Sequence, residues 1–406
     1  MKKRILSLLL ALVAVSTSLA GFAVQAQAKK TDQNLQLNSV QQFGSSLLKQ
    51  NLEETNPVLS PVSAYAVLSM VGEGAKGATK KEFHAVLGSD MYSVSGNLMQ
   101  TLPQQEERLQ LSVANSVWMD TKFTPKKKWL EATENELLSE VFRENLDTEQ
   151  TKDKINKWVS DRTNQLIPNL LKEKLDKDAR LALVNALYFH ADWKQQFVPE
   201  FTQESEFRLD DGNVEKTELM NGLIRGCGYL KDDETVGVVL PYEGERFAFV
   251  AVRPKGNENI REWYQSYTDK KMAALIKNRK TKEVELTLPK FKVRCTLDLK
   301  DSLKKVGLKK VFDEEKSDLS LLGKSSKNEN LFLSMIFQEA VISVAEDGTE
   351  AAAATFGAVA AATSLVMEKP PVVRFDRSFL YMIMDMETGV PVFMGIMDNP
   401  NYTRVR

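Results

Sequence analysis

Cysteine and histidine are nearly absent: Cys227 and Cys295 are the only thiols in 406 residues, and His84 and His190 the only imidazoles. Two cysteines so far apart exclude a disulfide-dense scaffold and offer no metal-ligand spacing. They leave two readings open, a single bridge or two unpaired buried thiols. With no G-x-S-x-G or H-E-x-x-H motif beside the histidines, hydrolase chemistry finds no foothold. His84 falls in a predicted helix and His190 ends a predicted buried strand, so structural roles are expected for both. An excess of one charge is missing too. Lys and Arg number 54 against 55 Asp and Glu, which gives no sign of a nucleic-acid or anionic-membrane partner. The basic clusters Lys126-Lys127-Lys128 and Lys304-Lys305 to Lys309-Lys310 are interspersed with acids and read as solvated faces. No repeat is present, and no Pro/Gly/Ser linker divides the chain.

What is there begins with an export signal. Lys2, Lys3 and Arg4 form a basic start, Ile5 to Val15 an apolar run, and Ala26-Gln27-Ala28 a small-residue cleavage site, so 1–28 is expected to be removed after Ala28. An uncleaved anchor is the alternative. The segment is of a bacterial type, and it implies a secreted protein comprising 29–406.

The mature chain mixes helical and strand periodicities without regular βαβ alternation, which points to α+β. Val40, Phe43, Leu47 and Leu48 mark a first amphipathic helix. Ser60-Pro61 begins a second, with serine as N-cap and proline at the first helical position. Thr79 and Glu82 have capping-box spacing for a third. Leu109 to Met119 alternates as a strand, and Leu181 to Phe189 is apolar enough to be a strand buried on both faces. Hairpin strands are expected at Val236–Leu240 with Phe247–Val252, and at Tyr381–Met386 with Val392–Ile396.

Gly72-Glu73-Gly74-Ala75-Lys76-Gly77 spells G-x-G-x-x-G, but a dinucleotide fingerprint must follow a strand. Here Ala64 to Val71 reads as a helix running into the glycines, so the motif is a decoy. Polar residues inside apolar segments are more informative. Asn185 sits mid-run in Leu181–Phe189, where an unpaired amide would cost about 1–3 kcal/mol. Ser60, Ser63, Asn115 and Gln338 are similarly placed.

The stretch Glu346–Phe375 fits no ordinary element. Seventeen uncharged residues separate Glu350 from Glu368, and the first eight are only Ala, Thr, Gly or Phe. A surface helix would lack a polar face, a membrane span would lack length and apolarity, and a solvated linker would not carry Phe356, Val359 and Leu365. The run Glu346-Asp347-Gly348-Thr349-Glu350-Ala351-Ala352-Ala353-Ala354-Thr355 resembles the reactive-loop hinge of the inhibitory serpins. Val373 to Phe379, and Thr388-Gly389 through Phe393-Met394-Gly395, resemble that family's C-terminal signature. Asn56 with Ser60-Pro61 and Ser63 matches its N-x-x-x-S-P-x-S pattern, and Asn185 with Trp193 its V-N-x-x-x-F/Y-x-x-x-W pattern. The similarity runs from about Asn38 to Pro400.

Membership would imply one intertwined domain of three β-sheets and about nine helices, with a reactive-centre loop at about 346–370. It implies a suicide inhibitor of serine proteases, not an enzyme, needing no cofactor or metal and acting as a monomer without stable membrane association. Its partner would be a protease held as a covalent acyl complex. Counting Glu346 as the first hinge residue puts the reactive bond at Ala362–Thr363, within one residue. Val359, Ala360 and Ala361 would tune specificity, and side chains so small favour elastase-like targets. The hinge, Glu346 and Gly348 to Thr355, would insert into the main sheet. Asn56, Ser60, Ser63, Asn185, Trp193 and Gln338 would govern its opening. Gln338-Glu339 stands where relatives carry His-Lys, Asp192 where Lys is common, and Gln165-Leu166 where Gly-Lys is usual. A non-inhibitory carrier, chaperone or decoy of the same fold is the alternative.

Overall fold

The apolar runs of the sequence become strands of two large sheets. In the computed structural model, residues 39–177, 179–325, 330–333, 336–349 and 369–402 are described. The expected export signal 1–28, Glu350 to Glu368 and hence the expected reactive bond Ala362–Thr363 lie outside these.

One sheet has seven strands. Leu109–Asp120 lies antiparallel to Leu181–Asp192 from Leu109↔Ala191 to Met119↔Leu181, which sets Asn115 opposite Asn185. Gln104–Glu106 and Ser139–Glu144 also pair with Leu109–Asp120, the latter in parallel. On the far side of Leu181–Asp192 come the two-residue strand Gly348–Thr349, then Phe337–Val344, then Phe291–Asp298. Gly348–Thr349 is antiparallel to both of its neighbours, so those two run parallel to each other.

The second sheet has nine strands. Its order is Val58–Leu59, Val390–Met397, Phe379–Asp385, Phe247–Pro254, Thr235–Pro241, Val214–Lys231, Lys280–Pro289 and Val372–Arg374, with Gln203–Arg208 beside Val214–Lys231. The C-terminal hairpin turns at Gly389, whose φ of 75° a side chain would resist. A third sheet pairs Phe123–Pro125 with Gly323–Ser325. Nine helices complete the described residues, counting that at 39–49.

Helix Pro61–Glu73 joins the layers, packing on both Leu181–Asp192 and Val390–Met397. Its sequence has no polar face, and Pro61 to Gly72 are all buried. Ser60 caps it, its hydroxyl accepting from the Ser63 amide at 3.2 Å, with Pro61 in the first turn as expected. The helix runs into Gly72, and Gly74 ends it, so no strand precedes the glycine motif.

Two expectations are corrected, and one choice left open by the sequence is decided. Thr79 and Glu82 form no capping box: helix Gly77–Leu87 starts without a side-chain cap. Thr79 instead accepts the Asp318 amide at 3.0 Å, and Glu82 accepts the amides of Lys309 and Lys310. Tertiary partners thus outcompete the local ones. Strand Leu181–Asp192 extends past Phe189, and it alternates between buried and half-buried instead of being covered throughout, because it borders a cleft. Of the two thiol readings, the bridge is excluded. Cys227 and Cys295 are buried and form no disulfide, and burial pushes the Cys227 thiol up to about 12 despite a backbone bond with Val239. Among the described residues no helix is long and apolar enough to cross a membrane.

Asn56 ties the chain's start to its end. With a left-handed φ of 48°, it accepts the amides of Asp398 and Asn399 at 2.8 Å each and donates to the Asn399 carbonyl at 2.6 Å. Asn56→Ala orphans these buried groups and is expected to cost about 1–3 kcal/mol. Chemical unfolding measures it, and an unchanged midpoint would mean the tail does not belong to the cooperative unit.

Candidate functional site: a hinge seated at the mouth of a cleft

Chain connectivity brings the hinge to the end of Leu181–Asp192. Strand Phe337–Val344 ends there, and a tight turn reverses the chain, with the Ala345 amide donating to the Gly348 carbonyl at 2.9 Å. Trp193 holds this turn. Its ring is stacked 4.6 Å from that of Tyr242 with 7° between planes, and meets Phe249 edge-on at 5.7 Å. So fixed, its indole N–H donates to the Ala345 carbonyl at 2.9 Å and its amide to that of Asp347 at 2.8 Å.

Glu346 is pinned from two directions. The Phe197 amide donates to its carbonyl at 2.8 Å, and its carboxylate accepts from Thr202 Oγ1 at 2.9 Å and pairs with Lys290 at 3.2 Å. Burial alone would raise this carboxyl. Hydrogen bonds from its own backbone amide, Thr202 and Lys290 outweigh that and hold it below the usual range.

Gly348 is where a side chain cannot go. A Cβ there would lie 2.1 Å from the Ala191 carbonyl oxygen. That intimacy lets Thr349 pair with Ala191 on one side and Val344 on the other. Thr349 is 1% exposed, and its hydroxyl meets that of Tyr242 at 2.5 Å. Complete burial raises the Tyr242 phenol far beyond its ordinary value despite this bond. The Thr349 side chain therefore lies inside the sheet.

Beyond Thr349 no ladder joins Leu181–Asp192 to Phe337–Val344 among the described residues. Between them is a cleft floored by Ser60, Ser63 and Val67, and walled by Leu183, Asn185 and Leu187 on one side and Gln338 and Glu339 on the other. Gln338 grips the Ser60 backbone with both ends of its amide: Oε1 accepts the Ser60 N–H at 2.9 Å and Nε2 donates to the Ser60 carbonyl at 2.9 Å. Asn185 donates to Asn115 Oδ1 at 2.6 Å, and Asn115 in turn donates to the Leu137 carbonyl at 3.3 Å. Glu339 pairs with Arg294; burial raises its carboxyl, and the guanidinium opposes that only in part.

Of the residues singled out in the sequence, Ser60, Ser63, Asn185 and Gln338 line this cleft, with Trp193, Glu346, Gly348 and Thr349 at its mouth. Asn56 is not among them, because its side chain is committed to the C-terminal turn. Tyr242, Thr202 and Lys290 escaped the sequence reading, for no local pattern marks a residue whose role is to meet a chain segment over fifty residues away. Asn115 was visible as a polar interruption of a strand, though its partner was not.

The serpin family model (serine protease inhibitor) matches residues 38–400. Rat (Rattus norvegicus) alpha-1-antiproteinase is 30% identical over 371 residues, covering 88% of this chain and 87% of that protein. The alpha-1-antiproteinase of the squirrel Callosciurus caniceps is 31% identical over 401 residues, covering 94% of each. Among solved structures, the thermophilic serpin tengpin in its native state superposes with a TM-score of 0.83 at 31% identity, covering 90% of this chain and 94% of that one. Thyroxine-binding globulin in complex with thyroxine shares the fold, with a TM-score of 0.78 at 24% identity over 91% of this chain and all of that one. The helices and three sheets, the hinge at the cleft mouth and these likenesses agree, and the chain belongs to the serpin family, the serine protease inhibitors.

Proposed function

We propose that this serpin is a secreted, monomeric suicide-substrate inhibitor of elastase-like serine proteases, formed by 29–406 as one domain after removal of 1–28. The observation that carries the reading is Thr349, buried between two strands that share no further ladder among the described residues. A hinge seated there has only to continue downward.

The protease serine attacks the Ala362 carbonyl, and the Ala362–Thr363 bond breaks. Thr363 leaves as a new amino terminus carrying the transferred proton, and Ala362 remains as an ester on the enzyme. The freed segment then continues the strand begun at Gly348–Thr349. Strand alternation puts Thr349, Ala351, Ala353, Thr355, Gly357 and Val359 on the inward face. All are small and uncharged, none is proline, and Glu350 falls on the outward face. From Gly348 to Ala362 the strand spans about 45–50 Å, which carries the protease across the molecule. Strand addition supplies the driving force. Alanines before the bond suit a small pocket and neither a cation-seeking nor a ring-seeking one.

A carrier role, for which the thyroxine-binding globulin fold is a precedent, does not need such a hinge. It predicts cleavage without a covalent adduct.

Incubation with an elastase is expected to yield an adduct stable to denaturing electrophoresis and a released fragment beginning at Thr363. Cleavage by every small-residue-preferring protease without an adduct would favour the carrier reading, and a fragment starting more than one residue away would refute the register.

Ala351→Arg is expected to turn inhibitor into substrate. Thr349 is already buried, so by alternation Ala351 is the next inward-facing position, and a charge there adds its burial cost to the insertion step, where even about 1.4 kcal/mol slows the rate tenfold while deacylation is unchanged. Glu350→Arg, on the outward face, is expected to do far less. The stoichiometry of inhibition of both variants decides it, since equal losses would mean the faces are assigned wrongly.

A further inference from the structure

The backbone brings arginines together where like charges would keep apart. At the end of Gln203–Arg208, the Arg208 amide donates to the Asp376 carbonyl at 2.9 Å and the Ser378 amide to the Arg208 carbonyl at 3.2 Å. This bridge makes Arg208 the direct partner of Arg377, a placement in which two like charges oppose each other. A third guanidinium comes from Arg253, near the end of Phe247–Pro254. Burial lowers it from its ordinary value, the neighbouring Arg377 charge lowers it further, and Asp376 opposes both.

The two half-buried guanidiniums are held by fixed acceptors. Arg253 gives Nε to the Arg374 carbonyl at 2.7 Å and Nη1 to the Pro254 carbonyl at 2.8 Å. Arg377 gives Nε to Asp376 Oδ1 at 3.1 Å and Nη1 to Asn257 Oδ1 at 2.7 Å. Nη2 of each has no acceptor among the described residues, and the exposed Arg208 side chain has neither ion pair nor hydrogen bond among them. Nearby acids other than Asp376 are committed elsewhere. Asp210 and Asp398 pair with Arg261, and Glu206 lies opposite its own partner Lys216. Over the whole chain 54 cations balance 55 acids, so only the fold reveals this local excess.

A guanidinium fixed at Nε and Nη1 presents its remaining donors in a set plane, which suits an oxyanion. Three positive charges beside one carboxylate favour a doubly charged ligand over a singly charged one. We propose that Arg208, Arg253 and Arg377 form a binding site for the phosphate group of a soluble ligand. It lies where the ends of Gln203–Arg208 and Phe247–Pro254 meet the C-terminal segment 374–378. Arg253 and Arg377 grip the phosphate oxygens through Nη2, and Arg208 adds its charge from the solvent side. The site shares no residue with the hinge or the cleft and does not depend on the inhibitor reading.

The experiment is calorimetric titration of the purified protein with inorganic phosphate and with pyrophosphate, at an ionic strength held constant with chloride. Saturable binding is expected, with a melting temperature that rises with phosphate concentration. Arg253→Gln and Arg377→Gln are each expected to weaken binding about tenfold, as loss of a charge-assisted contact does. Arg208→Gln removes an exposed side chain with no partner to lose, so it tests the site without disturbing the fold. About threefold weakening is expected there. Arg377→Lys keeps the charge but not the planar fork and should lose most of the affinity. Arg225→Gln, which breaks an exposed pair with Glu283 at 2.8 Å, should bind as the unaltered protein does. No saturable heat, an equal loss in Arg225→Gln, or full binding by Arg377→Lys would overturn the proposal. Vesicles containing phosphatidic acid separate two sources of the same group. Protein left in the supernatant, the expected result, assigns a soluble ligand, whereas pelleting that Arg377→Gln abolishes would assign a lipid headgroup instead.

Discussion

Backbone hydrogen-bonding capacity is the constraint on which the rest of this structure depends. Strands Leu181–Asp192 and Phe337–Val344 run parallel, and each presents an edge of amide and carbonyl groups towards the other. In most sheets such edges meet directly, since an unpaired strand edge invites another strand. Here their described link is two residues long, Gly348–Thr349. The cleft, its polar clasps and the hinge are arranged around that single interruption, and a strand longer than two residues is the natural completion of the sheet.

The surroundings divide into parts that hold the hinge and parts that hold the cleft. Trp193, Tyr242, Thr202 and Lys290 fix Ala345 to Thr349 through stacking, hydrogen bonds and one ion pair. Gln338 ties one wall to the helix cap beneath it, and Asn185 ties the other to Asn115 on the adjacent strand Leu109–Asp120. At Gly348 any side chain would meet the Ala191 carbonyl oxygen at once, whereas Thr349 is accommodated with its hydroxyl against that of Tyr242.

Much of this was legible in the sequence. Periodicity gave the helix after Ser60 and the strands at Leu109, Leu181 and Phe247, because local burial patterns decide those. Thr349 is buried between its two neighbouring strands, while the rest of the hinge lies outside the described residues. What local pattern could not supply was partnership. Glu82 has the spacing of a cap, yet it turns to Lys309 and Lys310, more than two hundred residues on. Asn56 stands in the same short motif as Ser60 and Ser63, yet it closes the C-terminal turn. In both cases a distant backbone group competes with the near one, and only folding decides between them.

The Gln338 clasp has a consequence for how pH acts on the bond between this strand and the helix cap. An imidazole at this place would gain or lose a proton between about pH 5 and 8 and would alter its bonds as it did so. A carboxamide presents one donor and one acceptor at every such pH, and both meet the backbone of Ser60. The two bonds between Gln338 and Ser60 therefore involve no titrating group, and the grip of this one side chain on the helix cap does not depend on a protonation state.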